Sequence, residues 1–188
     1  MNATSDRCYR NINIPVDFRP WDFGYANKNE FCELDIKPNM VNTEIHDFFD
    51  SIGLVLLRGR YFHCLPGVRY NLHTDNKFES SRELIKVNWV FGGAGSNMIW
   101  YNLKPGKGPR IYKNSMGEEI VGYNEEDCVE ICRAHIPKLA IVNVAVVHTI
   151  QNANEFRDCY SMVLAHKHNK VRLEWNESME KMSPYITN

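Results

Sequence analysis

The apolar positions of this 188-residue chain change period along its length, and the period dictates the elements. Across residues 43–51, Ile45, Phe48, Phe49 and then Ile52 fall at i, i+3, i+4 and i+7, one helical stripe, with Gly53 placed as the C-terminal cap. His46 lies off that stripe, on the solvent side. Beyond residue 53 the spacing becomes that of strands. Residues 54–57 form a short apolar run, followed by strand-like stretches at 68–75, 84–91 (ended by Gly92-Gly93) and 98–103. Residues 104–110 are a basic turn, because Pro105, Gly106, Gly108 and Pro109 stop any strand there. A hairpin is expected from 110–113 and 118–122 around residues 114–117. A second helix is predicted over 125–134, capped by Asn124, with acids in its first turn and Pro137 beyond its end. Strands resume at 139–144, 146–151 and 156–166, before a polar tail with a short helix.

Residues 1–40 are rich in Asn, Asp, Pro and aromatics. Ile12, Ile14 and Val16 alternate and predict one edge strand, bounded by Pro15 and Pro20. Trp21, Phe23, Tyr25 and Phe31 belong to a wrapping segment that packs onto a core spanning about 54–167. Nothing resembles a linker, so residues 1–188 read as one domain. Many short strands with two or three supporting helices predict a mainly β fold, either a sandwich or a closed barrel. A jelly-roll arrangement would set the strand holding His73 beside the one holding His148.

Composition narrows the function classes. The chain is 44% hydrophobic and 12% aromatic, as a globular protein is, and its net charge is −1. Near neutrality disfavours general attraction to nucleic acid or to anionic membranes. No apolar run reaches membrane-spanning length, and the first residues lack the basic-then-apolar order of a signal peptide, so a cytoplasmic location is expected. The six cysteines are scattered singly, consistent with reduced thiols. Nothing in the pattern specifies an oligomeric state.

The candidate chemistry centres on Leu72-His73-Thr74-Asp75. Alternation along a strand places His73 and Asp75 on one face. His148 is the polar residue on a strand face shared with Val146 and Ile150, where a buried ring needs a partner. Two imidazoles and one carboxylate on one side of a metal suit non-haem Fe(II), because other positions stay open. A buried hydrogen bond is the plainer alternative for His148. Arg157, Cys159 and Ser161 share another face, while Tyr160, Met162 and Leu164 take the opposite one. A guanidinium turned inward requires an anion, which a bound dicarboxylate would provide, with the Ser161 hydroxyl donating a further bond. The alternative is a surface arginine paired with Glu155 or Asp158.

Other residues carry weaker signals. Cys128, Cys132 and His135 share a face of the predicted second helix, but their spacing matches no usual zinc site, and packing is the better reading. Arg69 and Asn71 fall on the face of His73 and Asp75, as substrate contacts at a pocket entrance or as ordinary barrel lining. Asn88 points with Lys86 and Val90 and is placed to reach a cosubstrate. Trp100 and Tyr101 are expected to divide between core and pocket wall. The basic loop from Lys104 to Lys113 either steers an anionic substrate or is a solvated hairpin tip.

Taken in order, Leu65-Pro-Gly-Val-Arg-Tyr-Asn-Leu-His-Thr-Asp75, Lys86-Val-Asn-Trp-Val-Phe-Gly-Gly93, Ile141-Val-Asn-Val-Ala-Val-Val-His148 and Arg157-Asp-Cys-Tyr-Ser161 resemble the Fe(II)- and 2-oxoglutarate-dependent oxygenases, in particular small single-domain, phage-type members. The resemblance covers residues 61–167 and implies the double-stranded β-helix, or jelly-roll, fold. It implies His73, Asp75 and His148 as iron ligands, Arg157 and Ser161 as the grip on 2-oxoglutarate, and O2 as co-substrate. Val147 departs from the proline such proteins often carry there. The implied activity is a dioxygenase hydroxylating an amino-acid side chain, peptidyl or free, or a small metabolite, with release of succinate and CO2. Two rivals are a cupin-like metal enzyme without 2-oxoglutarate and a non-catalytic β-sandwich binding module.

Overall fold

The computed structural model describes residues 5–18, 30–75, 84–113, 117 and 119–187. In chain order its elements are β1 (Tyr9–Asn11), β2 (Cys32–Ile36), α1 (Thr43–Ser51), β3 (Leu54–Cys64), β4 (Leu72–Thr74), β5 (Ile85–Gly92), β6 (Asn97–Leu103), β7 (Arg110–Lys113), β8 (Glu119–Tyr123), β9 (Cys128–Ala134), β10 (Leu139–Asn143), β11 (Val147–Gln151), β12 (Arg157–His166) and α2 (Trp175–Met182). They form two six-stranded sheets ordered β1-β10-β5-β12-β3-β2 and β7-β8-β4-β11-β6-β9. All pairs are antiparallel. The inner eight strands, β10-β5-β12-β3 facing β4-β11-β6-β9, have the alternating connectivity of the double-stranded β-helix, or jelly roll.

Strand alternation sorts the side chains into three layers. Val90, Met98, Trp100, Ala140, Val142 and Cys159 point between the sheets and pack together. The larger core lies outside the first sheet, where Trp89, Tyr160, Met162 and Leu164 meet Ile45 and Phe49 of α1 and Trp175 of α2. A smaller cluster of Leu72, Ile99, Tyr101, Cys128 and Val147 covers the outer face of the second sheet. The part of the space between the sheets that these apolar side chains do not fill is left as a cavity.

The helix predicted from the 43–51 stripe is α1, and Gly53 beyond it takes φ +75, which glycine adopts without strain. His46 is half-buried rather than solvated, its ring donating to the Pro38 carbonyl at 2.7 Å. The predicted N-terminal edge strand is displaced: β1 covers Tyr9–Asn11, while Ile12 makes an isolated bridge to Ile186. Residues 1–40 also supply β2, which extends the first sheet instead of merely wrapping it. Trp21, Phe23 and Tyr25 lie outside the described residues, as does most of the turn between β7 and β8.

The second helix is absent. Its capping signals belong to a single 3-10 turn at Glu125–Asp127, and residues 128–134 are β9, paired with β6 across a register shift at Trp100/Tyr101. Acids ahead of an apolar run look alike before a helix and before a turn. The β-branched Val129 and Ile131 and the unpaired edge of β6 decide for a strand. Cys128, Cys132 and His135 therefore share no helical face; Cys132 faces Cys8 instead.

Among the described residues no helix is long and apolar enough to cross a membrane. Phe49 is fully buried, with its ring edge-on to Trp89 at 6.3 Å. Phe49→Ala is expected to lower stability by about 3–5 kcal/mol, the usual cost of an emptied aromatic site in a core. Urea unfolding measures this, and a loss below about 1 kcal/mol would show that α1 is not anchored through that ring.

Candidate metal centre

β4 and β11 are antiparallel neighbours, and their one paired position is His73 opposite His148. Residues directly opposed across such a pair stand about 5 Å apart at Cβ. The rings accordingly meet with centroids 4.4 Å apart. Asp75 lies just past the end of β4, its backbone N–H donating to the Val144 carbonyl at 3.0 Å. One ligand atom from each of His73, Asp75 and His148 lies within 4.8 Å of the others, and this is the one group of potential ligands that assembles so closely among the described residues. Nε2 of His73 is 3.7 Å from Oδ1 of Asp75.

Both imidazoles are oriented the same way. Nδ1 of His73 lies 2.9 Å from the Asn71 carbonyl, and Nδ1 of His148 lies 2.9 Å from the Val146 carbonyl. A carbonyl only accepts, so each Nδ1 carries the proton and each Nε2 keeps its lone pair for the cavity. Such carbonyl contacts fix the tautomer and aim of a metal-binding histidine. Burial of His148, and then the neighbouring His73, lower its pKa to about 4, against the opposing pull of Asp75. Burial alone would raise the Asp75 carboxyl, but the Lys86 ammonium, then His73 and His148, hold it well below the usual carboxylate range. His148 is therefore a neutral nitrogen donor and Asp75 an ionised oxygen at ordinary pH, and with the His73 imidazole they make a donor set that fits a divalent transition metal.

The triad opens into a cavity of about 1040 Å³ between the sheets. From β12, Arg157, Cys159, Ser161 and Val163 point into it, as strand alternation requires. Arg157 is 4% exposed, and among the described residues the partners of its guanidinium are the Cys64 and Cys159 thiols rather than a carboxylate. Close passage of the neighbouring turn depends on Gly93, at φ +68, where a Cβ would lie 2.7 Å from that of Arg157. Ser161 donates to Asn88 at 2.7 Å, across a β12–β5 pair that sets them opposite one another. The buried Tyr70 hydroxyl lies beside the Cys64 thiol, and its ring lies against Phe31 at 5.4 Å.

The cavity thus collects His73, Asp75, His148, Arg157, Ser161, Asn88 and Asn71, but not Arg69. The reason is local. Residues 68–75 do not form one regular strand: Arg69 makes an isolated bridge to Gln151, and β4 begins only at Leu72. The interruption at Asn71 breaks the alternation, and a one-residue slip exchanges faces. Tyr70 turns inward, while Arg69 turns to the outer side, holding the Tyr101 hydroxyl at 2.7 Å and Glu125 at 2.8 Å. Trp100 and Tyr101 also stay off the cavity wall; Trp100 donates to the Asn143 carbonyl within the core. From the basic hairpin, Ile111, Tyr112 and Lys113 reach the rim. Lys86 and the β2–β3 cluster of Glu33, Asp35 and Arg60 were not singled out by pattern. For Lys86 the available signal was a charged residue at an inward position of a mostly apolar strand, which demands a counter-charge.

No family model and no curated protein matches the chain. Among solved structures it is similar to a 2OG-Fe(II) oxygenase family oxidoreductase from Burkholderia pseudomallei, at 14% identity over 70% of this chain and 55% of that one, with a TM-score of 0.37. It is similar also to a Pseudomonas putida prolyl-4-hydroxylase, at 13% identity over 78% of this chain and 76% of that one, with a TM-score of 0.37. The chain spans 55% of the length of the first. Likenesses this distant decide nothing about the site, whose chemistry rests on its own geometry.

The low His148 pKa has a measurable consequence in metal-free protein. An unfolded histidine takes its proton near pH 6.5, whereas native His148 waits until about pH 4. Within that window the unfolded state binds the extra proton, so stability falls as pH drops, by up to about 3 kcal/mol. Urea unfolding at stepped pH should show a shallower fall in His148→Asn. Equal slopes in both proteins would remove His148 as the source.

Proposed function

We propose that the chain is an Fe(II)- and 2-oxoglutarate-dependent oxygenase. The observation that carries this reading is the pairing of two features in one cavity: a His73–Asp75–His148 donor set, and a buried Arg157 with no carboxylate partner among the described residues. A three-ligand facial set leaves positions open for a chelating co-substrate and O2. A buried guanidinium is strongly unfavourable without an anion, and a dicarboxylate supplies one in bidentate geometry. A cupin-like metal site has no use for such an anchor, and a binding module has no use for two aligned Nε2 lone pairs.

His73, Asp75 and His148 would hold the iron, and Arg157 the distal carboxylate of 2-oxoglutarate. Ser161, tied to Asn88, and the Tyr70 hydroxyl offer further polar contacts at the same end. Iron with 2-oxoglutarate supplies oxidative decarboxylation to succinate and CO2, coupled to oxidation of a substrate C–H bond. The chain's own work is to orient these partners and keep water out, which the apolar Met98, Val144 and Ile150 beside the triad assist. The cavity is larger than a dicarboxylate needs, leaving room for an amino-acid side chain, free or peptidyl, or a small metabolite.

Anaerobic addition of Fe(II) and 2-oxoglutarate to the metal-free protein, followed in the visible region, tests the reading. A weak charge-transfer band is expected; metal binding without it would favour the cupin-like alternative, and no metal binding the binding module. His73→Ala and His148→Ala should each abolish iron binding, with retention at wild-type affinity contradicting the ligand set. Arg157→Ala should keep iron but weaken 2-oxoglutarate by about 2–5 kcal/mol, as for loss of a buried charge-assisted pair. Calorimetric titration reads that loss, and unchanged affinity would take Arg157 out of the site.

A further inference from the structure

The two oxygens of Asp75 have different neighbours. Oδ1 faces Nε2 of His73 at 3.7 Å, whereas Oδ2 is 2.8 Å from the Lys86 ammonium. Lys86 comes from the opposite sheet, on β5, at an inward position that it shares with Asn88. Its side chain is 15% exposed and that of Asp75 is 23% exposed. A pair this enclosed is far less screened than a surface ion pair, and loss of either partner leaves the other poorly compensated. The Asp75 backbone is tied as well, through its N–H to Val144. The carboxylate is thus held at its main chain and at one oxygen, leaving only Oδ1 turned to the histidines.

We propose that Lys86 is a positioning residue that reserves Oδ2, so that Asp75 gives a bound cation one oxygen and the centre favours compact, nitrogen-accepting ions over calcium. This inference rests on the metal-centre reading. Calcium takes six to eight oxygens and commonly chelates both oxygens of a carboxylate. First-row transition ions are satisfied by imidazole nitrogen with a single carboxylate oxygen. The ammonium also repels every dication through its charge, and this part is common to all of them. The ratio of two affinities cancels that common part and isolates the effect of the occupied oxygen. A bridge that merely fastened β5 to the end of β4 would change fold stability and leave the ratio alone.

The test uses the 188-residue metal-free chain, wild type and Lys86→Met, titrated calorimetrically with Co(II) and with Ca(II), together with visible spectra of the Co(II) forms. In Lys86→Met the Ca(II) affinity should rise by about tenfold more than the Co(II) affinity, and the Co(II) bands should change as the second oxygen becomes available. Lys86→Arg should restore the wild-type ratio and bands, because a guanidinium can occupy the same oxygen. Lys86→Ala, which likewise has no donor for Oδ2, is read in the same way if the methionine variant does not fold. Co(II) binding with an unchanged ratio and unchanged bands overturns the role of Lys86 alone. Failure of every form to bind Co(II) overturns the metal centre, and this inference with it.

Discussion

One cross-strand pairing sets the site. His73 on β4 and His148 on β11 stand directly opposite one another, although 75 positions of sequence separate them. Neither ring could present its Nε2 alongside the other without that register, and a slip of one residue would send one of them to the outer face. The register is in turn held by the rest of the fold. β11 is paired over its whole length with β6, and the Asn143 side chain accepts from the Ala145 backbone and donates to the Arg7 carbonyl, steadying the turn that leads into β11. A histidine pair of this kind is costly to bury, and the carbonyls of Asn71 and Val146 offset part of that cost by accepting the Nδ1 protons.

The cavity is electrostatically divided along its length. At the triad, the Asp75 carboxylate stands beside two imidazoles, with Lys86 holding it in place. Farther along β12, Arg157 sits among thiols that burial keeps protonated, Cys64 and Cys159 both having raised pKa values. Arg157 has no such counter-charge among the described residues, so the two ends of the cavity differ in what they would accept. The large apolar core lies on the far side of the first sheet. This separation lets the cavity stay polar without loosening the packing that carries most of the stability.

Much of this was legible in the sequence because strand periodicity is rigid. Residues 157, 159 and 161 share a face by arithmetic, and so do 86, 88 and 90; the mainly β architecture followed from the density of short strands. Legibility failed where local rules compete. Asn124 and the acids after it satisfy the opening of a helix and of a 3-10 turn equally, and only the partner strand β6 decided between them. The face of Arg69 was misread because the break at Asn71 has no composition signal, yet it moves Tyr70 inward and Arg69 out. β2 is a five-residue stretch in which Cys32, Leu34 and Ile36 alternate with Glu33 and Asp35, too short a signal within a polar segment, and its charges meet Arg60 only in three dimensions.

The most direct test of the central claim is a crystal structure of the chain soaked with Mn(II) in the absence of oxygen, with anomalous scattering used to place the ion. A single strong peak within bonding distance of Nε2 of His73, Nε2 of His148 and Oδ1 of Asp75 is the predicted result. A peak elsewhere, or no peak at saturating metal with the two imidazoles still facing one another, would contradict it.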